Sequence, residues 1–316
     1  MNIIDELINL SDYNREPEGF ESIVCASEYI ETMREEIGTP AAVVKGYALP
    51  WSKTESTFRY HPGEVIVWAG ANGSGKSLIT GMVALDAMCR RERVCIASLE
   101  MSPRKTLTRM LRNWVGMDPR SFHGQADSEG ILRDLYTDMA SMARDHLWVY
   151  DQVGSVASEK MIGLVRYAAK KLGIKHFVID SLMKCVAGTD NYNAQKDFVN
   201  ELCAIGKDYQ VTIHLVAHTK KMPDEAKRPS KYDVSGAGDI TNLADSVMLF
   251  WRNKPKEAAR RKGDSSTDGE PDALLICCKQ RELGDEPEFA LWYDHDSESY
   301  VEGPGAKPIN WFDRCT

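Results

Sequence analysis

No apolar run in this chain reaches the roughly 18 residues that a membrane-spanning helix needs, so no transmembrane segment is expected. Nor is there a secretory leader: Met1 to Asn14 carries Asp5 and Glu6 and lacks both a basic n-region and a small-residue cleavage site. The expected location is cytosolic. Eight cysteines are present but never as C-x-x-C, and no C-x-x-C is followed by H-x-x-x-H, so reduced, buried thiols are expected rather than a zinc site. Positive charge is also short. A formal net charge of -8 excludes a protein that coats nucleic acid with its whole surface, and confines any such contact to local basic loops. No internal repeat is present.

With 316 residues, 43% hydrophobic and 27% charged, the composition suits one main globular domain with a short appendage. From Met1 to about Gly38 the apolar residues Ile3, Ile4, Leu7 and Ile8, then Ile23, Val24, Ile30, Met33 and Ile37, fall at helical spacings, and Gly38 with Pro40 stops the pattern. Residues 1–50 therefore read as a helical arm and linker, packed on its own domain or docked on a neighbouring subunit. Residues 51–316 read as an α/β domain. Strands are expected at Val65–Ala69, Val94–Leu99, Leu147–Tyr150, His176–Ile179, Val211–Ala217, Ser246–Trp251, Ala273–Cys278 and Phe289–Tyr293. Helices at Ser77–Arg90, Pro103–Val115, Glu129–Arg144, Ser158–Leu172 and Ala194–Tyr209 alternate with the earlier strands. Near-continuous apolar strands of this kind predict a mostly parallel sheet covered on both faces. The last three strands lack long helices between them and predict an antiparallel edge, and the polar stretch 253–270 reads as a mobile loop.

Gly70-Ala71-Asn72-Gly73-Ser74-Gly75-Lys76-Ser77 fits G-x-x-x-x-G-K-[ST] in full, after one strand and before a helix. Such a loop curls backbone N–H groups around a β-phosphate, with the helix N-terminus adding partial positive charge. Lys76 would neutralise the β/γ oxygens and Ser77 would offer its hydroxyl to Mg²⁺, so a P-loop ATPase is expected. The magnesium also needs a carboxylate at a buried strand end. Asp180 is favoured because Ser181 and a long excursion follow it; Asp151, the competitor, also reads as a helix cap. Glu100, ending the strand after the P-loop helix, is the candidate to orient or deprotonate the attacking water, its other reading being a carboxylate at a helix start.

These motifs, with Ser98-Leu99-Glu100-Met101-Ser102 and Val178-Ile179-Asp180-Ser181-Leu182, resemble the ring-forming replicative DNA helicases of the DnaB, Twinkle and phage primase-helicase type, over about Gly63 to Tyr300. The resemblance implies a RecA-like core, supports Glu100 as the catalytic glutamate, and makes His218 of Val216-Ala217-His218 a γ-phosphate sensor, unless it is simply a polar strand end. It makes Val234-Ser235-Gly236-Ala237-Gly238-Asp239-Ile240 a channel loop gripping single-stranded DNA. Asp239 stands where a basic residue is often found, so contacts would fall to the backbone of Ser235, Gly236, Ala237 and Gly238 and to Lys220, Lys221, Lys227, Arg228 and Lys231. Lys279-Gln280-Arg281 is similar to the family's Lys-x-Arg element: Arg281 would be an arginine finger, and Lys279 its companion, acting on a neighbour's ATP. The implied protein is a homo-oligomer, a hexamer, that uses ATP and Mg²⁺ to move 5′ to 3′ on single-stranded DNA and unwind forks. With no zinc-ribbon cysteines and no long region before the P-loop, a core without a primase domain is expected, with a separate primase, loader or polymerase as partner. The competing reading is a RecA-like assembly or regulatory ATPase that does not unwind.

Overall fold

The computed structural model describes residues 2–3, 26, 46–124, 127–188, 191–220, 226–281 and 284–315. Ten strands form one sheet in the order β1-β4-β3-β5-β6-β2-β7-β8-β9-β10. They are β1 Asn2–Ile3, β2 Val65–Gly70, β3 Val94–Ser98, β4 Leu147–Val149, β5 His176–Asp180, β6 Thr212–His218, β7 Ser246–Arg252, β8 Ala273–Gln280, β9 Glu288–Asp294 and β10 Ser299–Val301. The first seven in that order are parallel, and β8, β9 and β10 add antiparallel. The expected antiparallel edge is present: β7, β8 and β9 pair antiparallel in succession, β7 also pairing parallel with β2, and short β10, not expected, adds a further antiparallel strand.

The central strands are buried from end to end, as apolar runs between two helical layers must be. Alternate side chains point to opposite faces. Val65, Val67 and Ala69 of β2 meet α4 (Ser158–Leu172) and α6 (Tyr192–Tyr209). Ile66 and Trp68 meet α1 (Lys76–Cys89) and α2 (Pro103–Val115). The other helices are α3 Ser128–Ala143, α5 Leu182–Cys185, α7 Ala237–Leu243, α8 Lys254–Arg261 and α9 Trp311–Cys315. Among the described residues no helix is long and apolar enough to cross a membrane.

Four expectations change. Most of the helical arm lies outside the described residues, but Ile3, expected to be helical, pairs in a strand against Val149. Leu49 and Trp51 are buried in the domain, so its packing begins inside the expected linker. The expected mobile loop contains α8, started by Asn253, whose side chain accepts from Lys256 N, and pinned by Lys256, which is buried against Asp272 at 2.8 Å. Cys89 and Cys315 are disulfide-bonded rather than reduced, joining the far end of α1 to α9. Cys95, Cys185, Cys203 and Cys277 are free and buried as expected.

Candidate active site

The chemistry collects where the carboxyl ends of β3, β5, β6 and β2 lie side by side, the crevice in which open α/β sheets bind ligands. β2 delivers the loop Gly70–Ser77, and its glycines are steric requirements. A Cβ on Gly70 would meet Phe250 O at 2.6 Å, and Gly75, at φ +113°, lies against Phe250 and the Tyr300 hydroxyl. Gly73, at φ +69°, opens onto free space, while the Ser74 hydroxyl is buried without a hydrogen-bond partner among the described residues. No side chain caps the start of α1, so its first N–H groups are left for a ligand. A loop of bare donors at a helix N-terminus with an unspent hydroxyl fits a polyphosphate.

Lys76 donates to the carbonyls of Gly70 at 3.0 Å and Ala71 at 2.8 Å, and burial lowers its ammonium to about 8 against the opposing pull of Asp180 and Glu100. Ser77 Oγ donates to Asp180 Oδ2 at 2.5 Å. Asp180 is nearly inaccessible, and its burial, aided by the charge of Glu100, pushes its carboxyl pKa up despite that hydrogen bond. A hydroxyl and a desolvated carboxylate in contact fit Mg²⁺, which takes one or two protein oxygens together with substrate phosphates. Asp151 is exposed, sits beyond β4 on the outer side of β3, and caps no helix, α4 beginning after Ala157.

Glu100 faces this pair across the crevice. Its Oε1 accepts from Ser181 Oγ at 2.9 Å and from His218 Nε2 at 3.3 Å. Burial raises its pKa, but these two bonds and the charges of His218 and Lys184 outweigh that and hold it below the usual carboxylate range. Burial, then Lys76, lower His218 against the opposing hydrogen bond and charge of Glu100; Nε2 donates in that bond, while Nδ1 finds no partner among the described residues. His218 is in turn fixed to the glycine loop: its carbonyl accepts from Ser235 N at 2.8 Å, and Lys220 N donates to Asp233 O at 2.7 Å.

Around this cluster lies a cleft of about 1440 Å³ that extends past the P-loop to Arg252, Tyr293 and Tyr300. Arg252, at the end of β7, donates to Gly73 O at 3.2 Å and pairs with Glu257. Neither Arg252 nor the tyrosines were expected from the sequence. The signal for Arg252 was its place at the end of the strand beside the P-loop strand; the tyrosines lie on edge strands with no motif.

The expected finger residues are elsewhere. β8 runs antiparallel, with Gln280 opposite Ser246 at the start of β7, so Lys279 and Arg281 stand on the opposite edge of the sheet from Lys76, a strand length of about 20 Å away. Of the expected DNA contacts, Lys221 lies outside the described residues. Lys220 and Lys227 are exposed, Arg228 sits 3.4 Å from Glu288 and over the Trp251 ring, and Lys231 is 4.0 Å from Glu286. Gly236, at φ +76°, is packed against Gln195 and Ile240 and precedes α7, which begins at Ala237; Gly238 is exposed.

The chain is similar to known proteins along most of its length. The ATPase domain of G40P shares its fold with a TM-score of 0.70 at 18% identity, over 89% of this chain and 99% of that one. A DnaB-like replicative helicase, whose structure was described with its interactions with primase, gives a TM-score of 0.71 at 17% identity, over 87% of this chain and 67% of that one. The family model of the DnaB-like helicase C-terminal domain matches residues 54–302, from just after Trp51 through the last strand of the sheet. The chain therefore belongs to the DnaB-like helicase C-terminal domain family and is a replicative-helicase ATPase.

Proposed function

We propose that this chain is the motor of a ring that hydrolyses ATP at subunit interfaces to move along single-stranded DNA and part the duplex, 5′ to 3′ as in the proteins it resembles. The carrying observation is the short connection Glu100–His218–Ser235, which links the group beside the γ-phosphate position to the glycine loop through two hydrogen bonds. In this reading the Gly70–Ser77 loop and Lys76 hold the phosphates, and Ser77 and Asp180 hold Mg²⁺, which when bound neutralises charge on the β/γ oxygens. Glu100, charged at neutral pH, accepts a hydrogen bond from the attacking water and turns its oxygen towards the γ-phosphorus. His218 donates to the same carboxylate, and a change in that bond is passed to Ser235. Arg281 and Lys279, remote from their own P-loop, act on the nucleotide of the next subunit, and a hexamer closes the ring. Lys220, Lys221, Lys227, Arg228 and Lys231 with the backbone of Ser235–Gly238 hold the DNA phosphates. Within residues 1–50, Ile3 and Leu49 pack on the chain's own domain, and a primase, loader or polymerase works beside the ring in the cytoplasm.

The test is the ATPase rate with and without single-stranded DNA, together with strand separation on a forked duplex. Stimulated hydrolysis with unwinding is expected. Hydrolysis with neither stimulation nor unwinding would favour an assembly or switch ATPase, a reading to which the acidic partners of Arg228 and Lys231 lend support.

A further inference from the structure

Asp245 stands just past Ala244, the C-cap of α7, the helix that the glycine loop leads into, and it is buried. All four of its polar groups are used, and they go to two places. Its backbone N–H donates to Val65 O at 2.9 Å and its Oδ2 accepts from Val65 N at 2.9 Å, which fixes it to the first residue of the P-loop strand. Its backbone carbonyl accepts from Arg281 N at 3.1 Å and its Oδ1 accepts from Arg281 Nη1 at 2.9 Å. Arg281 Nη2 meanwhile donates to Asn242 O and Leu243 O, each at 3.0 Å, and Lys279 Nζ donates to Thr241 O, Asn242 O and Ala244 O at 2.7 to 2.9 Å. Several bonds in one corner fix the plane of the guanidinium, yet its side chain remains 47% exposed. Capping the carbonyl end of α7 needs only one cation. The second cation, the carboxylate that orients it and the link to β2 are more than a cap requires.

We infer that Asp245 is a positioning residue: it holds Arg281, beside Lys279, at a fixed angle to the subunit's own P-loop strand and presents the pair to the nucleotide of the adjacent subunit. The inference rests on the proposed interfacial site. Arg281 then approaches the neighbour's phosphates with its orientation already set, and the P-loop strand of one subunit is joined to the finger it lends to the next by a single side chain.

Asp245→Asn keeps its one amide oxygen for Val65 N–H and turns its N–H₂ to Arg281, removing the charge-assisted bond. In the full-length protein, ATP-analogue affinity and KM should stay close to wild type, because the variant's own P-loop is intact. The value of kcat should fall about tenfold or more, the scale of one charge-assisted hydrogen bond. The deciding arm is subunit mixing. Asp245→Asn subunits mixed with Lys76→Ala subunits, which keep Asp245 and Arg281, should regain turnover, because the missing geometry is supplied across the interface. A folding defect confined to the variant's own subunit gives no such recovery. Arg281→Ala mixed with Lys76→Ala is run in parallel. If Arg281→Ala is rescued and Asp245→Asn is not, or if Asp245→Asn turns over at the wild-type rate, the role of Asp245 is overturned and the interfacial site stands. If neither is rescued, the interfacial site falls and this inference with it. Should Asp245→Asn not fold, Asp245→Glu replaces it, keeping the charge but displacing it by one methylene, with the same expected loss and rescue.

Discussion

At the scale of single residues, the proposed roles separate binding from turnover. Ser77 and Asp180 are bonded to each other beside Lys76, while Glu100 is held next to them by Ser181 and His218. Glu100→Gln keeps the shape and removes the charge that orients water. ATP-analogue binding should therefore remain while hydrolysis drops about a hundredfold or more, and retained turnover would take Glu100 out of the mechanism. The residues whose meeting was legible in the sequence were those standing at a strand's end: the P-loop, Glu100, Asp180 and His218. The bonds between them were not. That Ser181 is the partner of Glu100, or Asp245 of Arg281, depends on the strand order, which brings together side chains 81 and 36 positions apart.

At the scale of elements, helix α8 shows why the rest was hidden. It has no apolar stripe for a pattern search to find, and 254–262 is mostly charged. Its anchor is Lys256, 1% exposed, bonded to the Glu270 carbonyl and paired with Asp272, which also accepts from Tyr293 N. Among the described residues, Lys256→Ala leaves Asp272 with only the more distant Arg260 as a cation, at 3.7 Å. Breaking one side of a buried pair costs about 3 kcal/mol, which urea unfolding should register as a lowered midpoint. Wild-type stability would show that Arg260 takes over the role. The sheet, by contrast, was readable because strands buried on both faces are almost wholly apolar, and its parallel order followed from the intervening helices. The antiparallel edge was readable because no long helix separates β7, β8 and β9, whereas β10, three residues long, was too short to show a pattern.

At the scale of the whole molecule, stability depends on a polar stack deep under the sheet. Trp68 Nε1 donates to His214 Nδ1 at 3.3 Å, so His214 must carry its proton on Nε2 and give it to His176 Nδ1, also at 3.3 Å. Burial lowers His214 to about 3, and burial with the His214 neighbour takes His176 well below the ordinary value. The unfolded chain, with histidines titrating near about 6.5, binds more protons than the native one between that pH and about 3. Native stability is therefore at its full value above about pH 6.5 and falls as the solution is acidified through that window. His176→Phe removes one of the two groups, so the loss of melting temperature from about pH 7 to about pH 5 should be smaller than in wild type. An equal loss would place the acid sensitivity elsewhere.

The Cys89–Cys315 bond spans 226 positions and joins the phosphate-loop helix to the last helix of the chain. From Glu100 through Asp180, His218, Asp245 and Arg281, every residue assigned a part in turnover after the P-loop lies inside one covalent circle closed through sulfur. A single backbone cut anywhere in that circle yields two pieces that stay attached until the thiols are released, so a nicked chain keeps His218, Arg281 and its nucleotide loop on the same molecule.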